Sequence, residues 1–180
     1  MSVYASLPNL ITLGRLGLVP VVIAMISQAR WQAACIIFIL AGLSDAVDGW
    51  LAKSFNLRTE LGAYLDPLAD KALLVSIYVA LAVVGALPST LAILVVARDV
   101  MIIGAFMISW LMAKPIKIKP LLISKINTGA QIAFAAAVLG AKAFQFALGS
   151  WFEFAVYCVA ALTLASLAAY LASWSRHMSL

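Results

Sequence analysis

Six apolar runs of about twenty residues each, separated by short polar breaks, leave this chain few ways to fold. They lie near 9–29, 31–52, 60–84, 89–112, 124–143 and 151–174. A run of that length, wound as an α-helix, spans the hydrocarbon core of a bilayer. The chain has only 180 residues, 66% of them hydrophobic and 11% charged, so no soluble domain fits beside the spans. The expectation is an all-α integral membrane protein, a bundle of six transmembrane helices forming one domain over residues 1–180. Charge placement orients it. Arg15, Lys53, Arg58, Lys114, Lys117, Lys119, Lys125 and Arg176 fall on one side, Arg30 and Lys142 on the other, and Lys71 and Arg98 within spans. The positive-inside rule then puts both termini in the cytoplasm. Trp31, Trp50, Trp110, Trp151 and Trp174 sit near span ends, as an interfacial aromatic belt requires. Cys35 and Cys158 lie within spans and read as packing residues. No basic n-region precedes a cleavable apolar core, so no signal peptide is expected.

Against this background the stretch Ser44–Lys71, SDAVDGWLAKSFNLRTELGAYLDPLADK, stands out. It carries Asp45, Asp48, Asp66 and Asp70 where charge is expensive, and an intramembrane carboxylate marks a functional site. Asp45 and Asp48 are three apart and Asp66 and Asp70 four apart, so each pair shares a helix face. The polar stretch Lys53–Glu60 would join the two helices as an antiparallel hairpin and bring the faces together. Several carboxylates without matching cations form a hard oxygen site suited to Mg²⁺ or Mn²⁺. The rise of a helix puts Asp66 and Asp70 roughly 9 to 15 Å below the cytoplasmic end of their span, a shallow site open to the cytosol. Gly42 and Gly49 permit close approach of a backbone or a nucleotide, and Lys53 and Arg58 supply positive charge at the mouth. Pro67 would disturb the helix locally, which is tolerable beside a wet cavity.

The remaining polar residues admit two readings each. Asn9, Thr12 and Arg15 form a stripe on the first span. Asn9 can cap the helix, and Arg15 either snorkels to the interface or faces the same cavity as the aspartates. Arg98-Asp99 is either a buried ion pair or, through the guanidinium fork, a phosphate site. Pro115 and Pro120 break the helix between spans four and five, and Lys/Ile alternation over Lys117–Lys119 suggests an extended interfacial segment. Its lysines either set topology or attract anionic lipid. The fifth span opens with Ser124, Lys125, Asn127, Thr128 and Gln131. Ala133, Ala135–Ala137, Ala160, Ala161, Ala165, Ala168 and Ala169 suit close packing of spans five and six. His177, alone near the C-terminus, reads as solvated.

The central stretch can be written Asp45-x-x-Asp48-Gly49-x-x-Ala52-Lys53, eight residues, then Gly62-x-x-x-Asp66-x-x-x-Asp70. This resembles the signature of the CDP-alcohol phosphotransferases, integral membrane enzymes of phospholipid synthesis, and departs from it only at Lys53, where the family usually has arginine. The six-span layout and the opening PNLITLGR extend the resemblance. GAYLDPLADK, ARDVMI and KPLLISKINTGAQ are most similar to the CDP-diacylglycerol-dependent cardiolipin synthases, with phosphatidylglycerophosphate synthases close by. The resemblance implies phosphatidyl transfer from CDP-diacylglycerol to an alcohol, with release of CMP. It implies Asp45, Asp48 and Asp66 as metal ligands, and Asp70 as general base with a contact to metal. Gly49, Ala52, Lys53 and Gly62 would cradle the nucleotide. For an anionic, glycerol-containing acceptor lipid the candidates at the phosphate are Asn9, Thr12, Arg15, Arg98, Lys119, Lys125 and Asn127. A homodimer in the bacterial inner membrane, with the site facing the cytoplasm, is also implied, and no nucleic-acid partner.

A cation transporter is the rival from another class. Transporter sites favour the midplane between inverted repeats, whereas this acidic cluster is displaced to one side and no repeat is visible. Within the enzyme class the alternative acceptor is glycerol-3-phosphate.

Overall fold

A computed structural model describes residues 7–54, 60–111 and 122–178, the side chains of 7–11, 46, 48–54, 60–68, 106, 108–110 and 177–178 excepted. The described residues form six helices: α1 Leu7–Ser27, α2 Trp31–Ser54, α3 Glu60–Val83, α4 Ser89–Leu111, α5 Leu122–Phe144 and α6 Ser150–Met178. Two of them, over Leu122–Phe144 and Ser150–Arg176, are long and apolar enough to cross a membrane. The helix α1 starts before Asn9, so Asn9 lies inside the first turn and does not cap it. The helix α3 continues through Pro67.

Three tight turns join α1 to α2, α3 to α4 and α5 to α6. After α3, the Ala86 amide donates to the Leu81 carbonyl and the Gly85 amide to the Ala82 carbonyl. Gly85 sits between them at φ 73°, the left-handed position that closes a helix end in a Schellman motif. Ala29 and Gln145 take the same position after α1 and α5 without the freedom glycine has there.

The helices are arranged as a closed ring in the order α1, α2, α5, α6, α4, α3, with a slight contact between α3 and α5 across the middle. This departs from the hairpin expected for the aspartate helices. Among the described residues α2 and α3 do not touch, because α1 lies between them and packs on both.

The ring has two storeys. Toward the tight turns the interior is apolar: Val22 and Ile26 of α1, Ile77 and Leu81 of α3, Val138 and Leu139 of α5 are all buried. Toward the other end it is polar, with Thr12, Arg15, Arg98, Asp99, Asn127, Gln131, Thr163 and Ser166 buried. The bundle is inverted relative to a water-soluble domain. Arg15 and Arg98 are 2% and 1% exposed, while Leu111, Ile93 and Met107 on the outside are 81%, 66% and 63% exposed.

The alanines expected to allow tight helix packing divide between the inside and the outside of the bundle. Ala135 is buried, but Ala133, Ala137, Ala161, Ala165 and Ala168 face outward. The α5–α6 contact is instead polar at one end and aromatic at the other. The Phe134 and Phe152 rings lie 5.9 Å apart, and Gln131 Nε2 donates to Thr163 Oγ1 at 3.2 Å. Thr163 Oγ1 also lies 3.0 Å from Asn127 Oδ1. Replacing Thr163 with valine removes the partner of both amides at fully buried positions. The expected cost is about 1–3 kcal/mol, read as a lower denaturation midpoint in mixed micelles. Cys35 is buried as expected, Cys158 is exposed, and both are free thiols.

Candidate functional site

The polar storey begins with the stripe on α1. Thr12 and Arg15 are three residues apart and so share a face, and the ring turns that face inward, where both are buried. A guanidinium in such a place needs acidic partners, and the flanking helices provide them. Arg15 Nη1 lies 2.8 Å from Asp45 Oδ1 of α2, and the same nitrogen donates to Asp70 Oδ1 of α3. Arg15 therefore faces the aspartates and does not snorkel. One nitrogen within reach of both carboxylates holds them no more than about 6 Å apart, twice a hydrogen-bond length. The two halves of the acidic motif do converge, but through a third helix and around a cation. The expectation of carboxylates without a matching cation is corrected by Arg15.

A second cluster lies beside the first. Asp99 of α4, 8% exposed at its side chain, accepts from Lys71 Nζ at 2.8 Å and from Arg98 Nη1. Arg98 is otherwise consumed by the protein. Its Nε and Nη2 reach Ser166 Oγ at 3.3 and 2.8 Å, and Nη2 also donates to Ser124 Oγ. The Tyr170 ring lies 5.8 Å from the guanidinium carbon. Arg98-Asp99 is thus a buried ion pair tying α4 to α5 and α6. Four of its five donors point at protein groups, so Arg98 acts chiefly as a structural tie.

Between the clusters lies a cavity of about 360 Å³, within the range of small-molecule sites. Arg15, Asp45, Asp70, Lys71 and Asp99 line one part of it, and Phe38, Leu73, Leu74 and Ile132 another. Gly42 faces it, with open space around the point where a Cβ would stand. A polar pole against an apolar wall suits an amphiphile's headgroup and the start of its chains.

The other expected site residues divide between places. Asn127 is buried at the α5–α6 contact on Thr163, away from the cavity lining, and Lys125 is exposed on α5. Lys119 and the side chains of Asn9, Asp48, Gly49, Ala52, Lys53, Gly62 and Asp66 lie outside the described residues. The backbone does put Asp48 on α2 one turn from Asp45, and Asp66 on α3 one turn from Asp70. Among the described residues no three acidic, histidine or cysteine side chains converge. Asp45 and Asp70 offer carboxylate oxygens, the donor type a hard divalent ion takes, and Arg15 Nη1 bridges the two of them here. Lys71 and Asp99 were missed as site residues. The signal was present, because a lysine and an aspartate inside apolar runs are themselves functional candidates.

The sequence profile of the CDP-alcohol phosphatidyltransferase family matches residues 5–172. The cardiolipin synthase (CMP-forming) of Rattus norvegicus is 34% identical over 92% of this chain and 60% of its own length. That of Homo sapiens is 34% identical over 89% of the chain and 58% of its own. The CDP-diacylglycerol–glycerol-3-phosphate 3-phosphatidyltransferase of Bacillus subtilis is 32% identical over 74% of the chain and 76% of its own length. The chain spans about 60% of the length of the two cardiolipin synthases.

Proposed function

We propose that this chain, which belongs to the CDP-alcohol phosphatidyltransferase family, transfers a phosphatidyl group from CDP-diacylglycerol to phosphatidylglycerol, giving cardiolipin and CMP. The observation that carries the reading is the convergence of Asp45 and Asp70 on one nitrogen beside an amphiphilic cavity. An acceptor hydroxyl attacks the phosphorus that carries the diacylglycerol. The bond from that phosphorus to the CMP phosphate oxygen breaks, and the hydroxyl proton passes to Asp70 as general base. Arg15 fixes the Asp70 carboxylate, so the proton acceptor is held in place before substrate arrives.

Asp45, Asp48 and Asp66, with Asp70 at the edge, would hold Mg²⁺ or Mn²⁺. When bound, such an ion stabilises the charge that develops on the departing CMP. Gly49, Ala52 and Gly62 leave room for the cytidine nucleotide, and Lys53 meets its phosphate as a point charge where a guanidinium would bind in a fork. In this reading all six helices cross the bacterial inner membrane, with both termini and the aspartates toward the cytoplasm. The inverted polarity of the bundle and the charge asymmetry of its ends support it. The family resemblance supports a homodimer.

Glycerol-3-phosphate is the second reading for the acceptor, favoured by the match to most of the B. subtilis enzyme's length. The deciding assay follows CMP release by purified protein in detergent with CDP-diacylglycerol, Mg²⁺ or Mn²⁺, and one acceptor per tube: phosphatidylglycerol, glycerol-3-phosphate, inositol or serine. Release with phosphatidylglycerol alone, stopped by a chelator and restored by the metal, is the expected result. Release with glycerol-3-phosphate alone would replace the acceptor and keep the mechanism. Silence in every tube from folded protein would return the cation-transport reading.

A further inference from the structure

The charges at and just behind the cavity lining sort into two neighbouring groups, one around Arg15 and one around Asp99. Asp45 and Asp70 share Arg15, so among the described residues two carboxylates face one guanidinium. Arg98 and Asp99 already neutralise one another, so Lys71, the second cation on Asp99, leaves this group one positive charge in excess. Arg98 is buried and outside the cavity lining, whereas Lys71 is 34% exposed at its side chain and lines the cavity directly. Its ammonium carries three donors. Asp99 takes one, and among the described residues no other partner is recorded for the rest. A lysine held by an acid that another cation has already balanced is an anion site. It is adjacent in sequence to Asp70, the proposed base.

We propose that Lys71, steadied by Asp99, binds the phosphate of a glycerol-phosphate acceptor and brings the acceptor's hydroxyl to Asp70. The inference rests on the transferase reading above and names the acceptor contact within it. The Asp45 and Asp70 side would hold the diphosphate end of the donor, with a divalent ion neutralising it when bound, and Lys71 takes the acceptor, so that the reacting atoms meet between them. A flexible ammonium takes the phosphate of a lipid diester and of a free monoester alike, and the two arms of the test distinguish them.

The test uses the full chain in detergent and measures initial rates of CMP release with acceptor and CDP-diacylglycerol varied separately. Lys71→Met is expected to raise the KM for the phosphate-bearing acceptor about tenfold to a hundredfold, the usual weight of a charge-assisted hydrogen bond. The KM for CDP-diacylglycerol should stay within about twofold of wild type, and Lys71→Arg should recover most of the loss. Parallel series with phosphatidylglycerol and glycerol-3-phosphate identify which phosphate is held. An acceptor KM that stays within about twofold in Lys71→Met, or an equal rise in both KM values, overturns the proposal. Inhibition of the wild type by inorganic phosphate gives a readout that needs no variant. Competition against acceptor supports the site, and competition against CDP-diacylglycerol alone refutes it. Wild-type silence with both acceptors removes the transferase reading and this one together, which separates the two failures.

Discussion

Asp70→Asn is expected to lower CMP release by about a thousandfold, in line with the loss of a positioned general base. Asparagine keeps the shape of the side chain but takes no proton from the attacking hydroxyl. The fold should survive. Arg15 keeps its 2.8 Å contact to Asp45, so the buried guanidinium is not left uncompensated, and the thermal midpoint should stay within about 5 °C of wild type. The effect should fall on kcat, with the KM for CDP-diacylglycerol little changed, because the proton moves only in the transition state. A variant that retains a tenth of wild-type activity would assign the base to another group.

Arg98→Leu should instead unfold the protein more readily, by about 1–3 kcal/mol, because buried polar groups lose their hydrogen-bond partner. The substitution removes the partner of buried Asp99 and the donor to both Ser124 and Ser166, and with them the tie between α4, α5 and α6. Lys71 alone then balances Asp99. Denaturation in mixed micelles measures the loss. Pairing Arg98→Leu with Asp99→Leu should recover part of it, since replacing both members of a buried pair costs less than stranding one. Wild-type stability in Arg98→Leu would mean that the buried cluster does not hold the ring together.

The two substitutions probe features that differed in how well the chain announced them. Helix positions followed from apolar run lengths: the fourth run, 89–112, became Ser89–Leu111, and the second, 31–52, became Trp31–Ser54. Helix neighbours did not follow. An apolar helix that offers little contrast between its faces carries no stripe to say which partner it meets, so α2 and α3 looked like a hairpin when α1 stands between them. Asp45 and Asp70 were legible because spacing and depth mark them without knowledge of the packing. Arg15 was ambiguous for a physical reason: a long basic side chain near a helix end can reach either the interface or a buried acid, and only the order of the ring decides. Arg98 and Lys71 pose the same difficulty. Both are cations within apolar runs, and their surroundings depend on Ser124 and Ser166 reaching Arg98 from α5 and α6 and on Asp99 of α4 reaching Lys71 of α3.

The ring order also bears on how the protein is made. In order of synthesis, α1 to α4 assemble as an open arc, with α2 and α4 at its two free ends. The last two helices form a hairpin that touches both ends, α5 on α2 and α6 on α4. The acid-binding arginine and both its aspartates lie in the arc, but the cavity's Gln131 and Ile132 wall arrives with α5. A nascent chain halted after α4 therefore has its charges paired and its pocket open at the side. Completion of the final hairpin is the event that gives a paired set of charges its remaining wall.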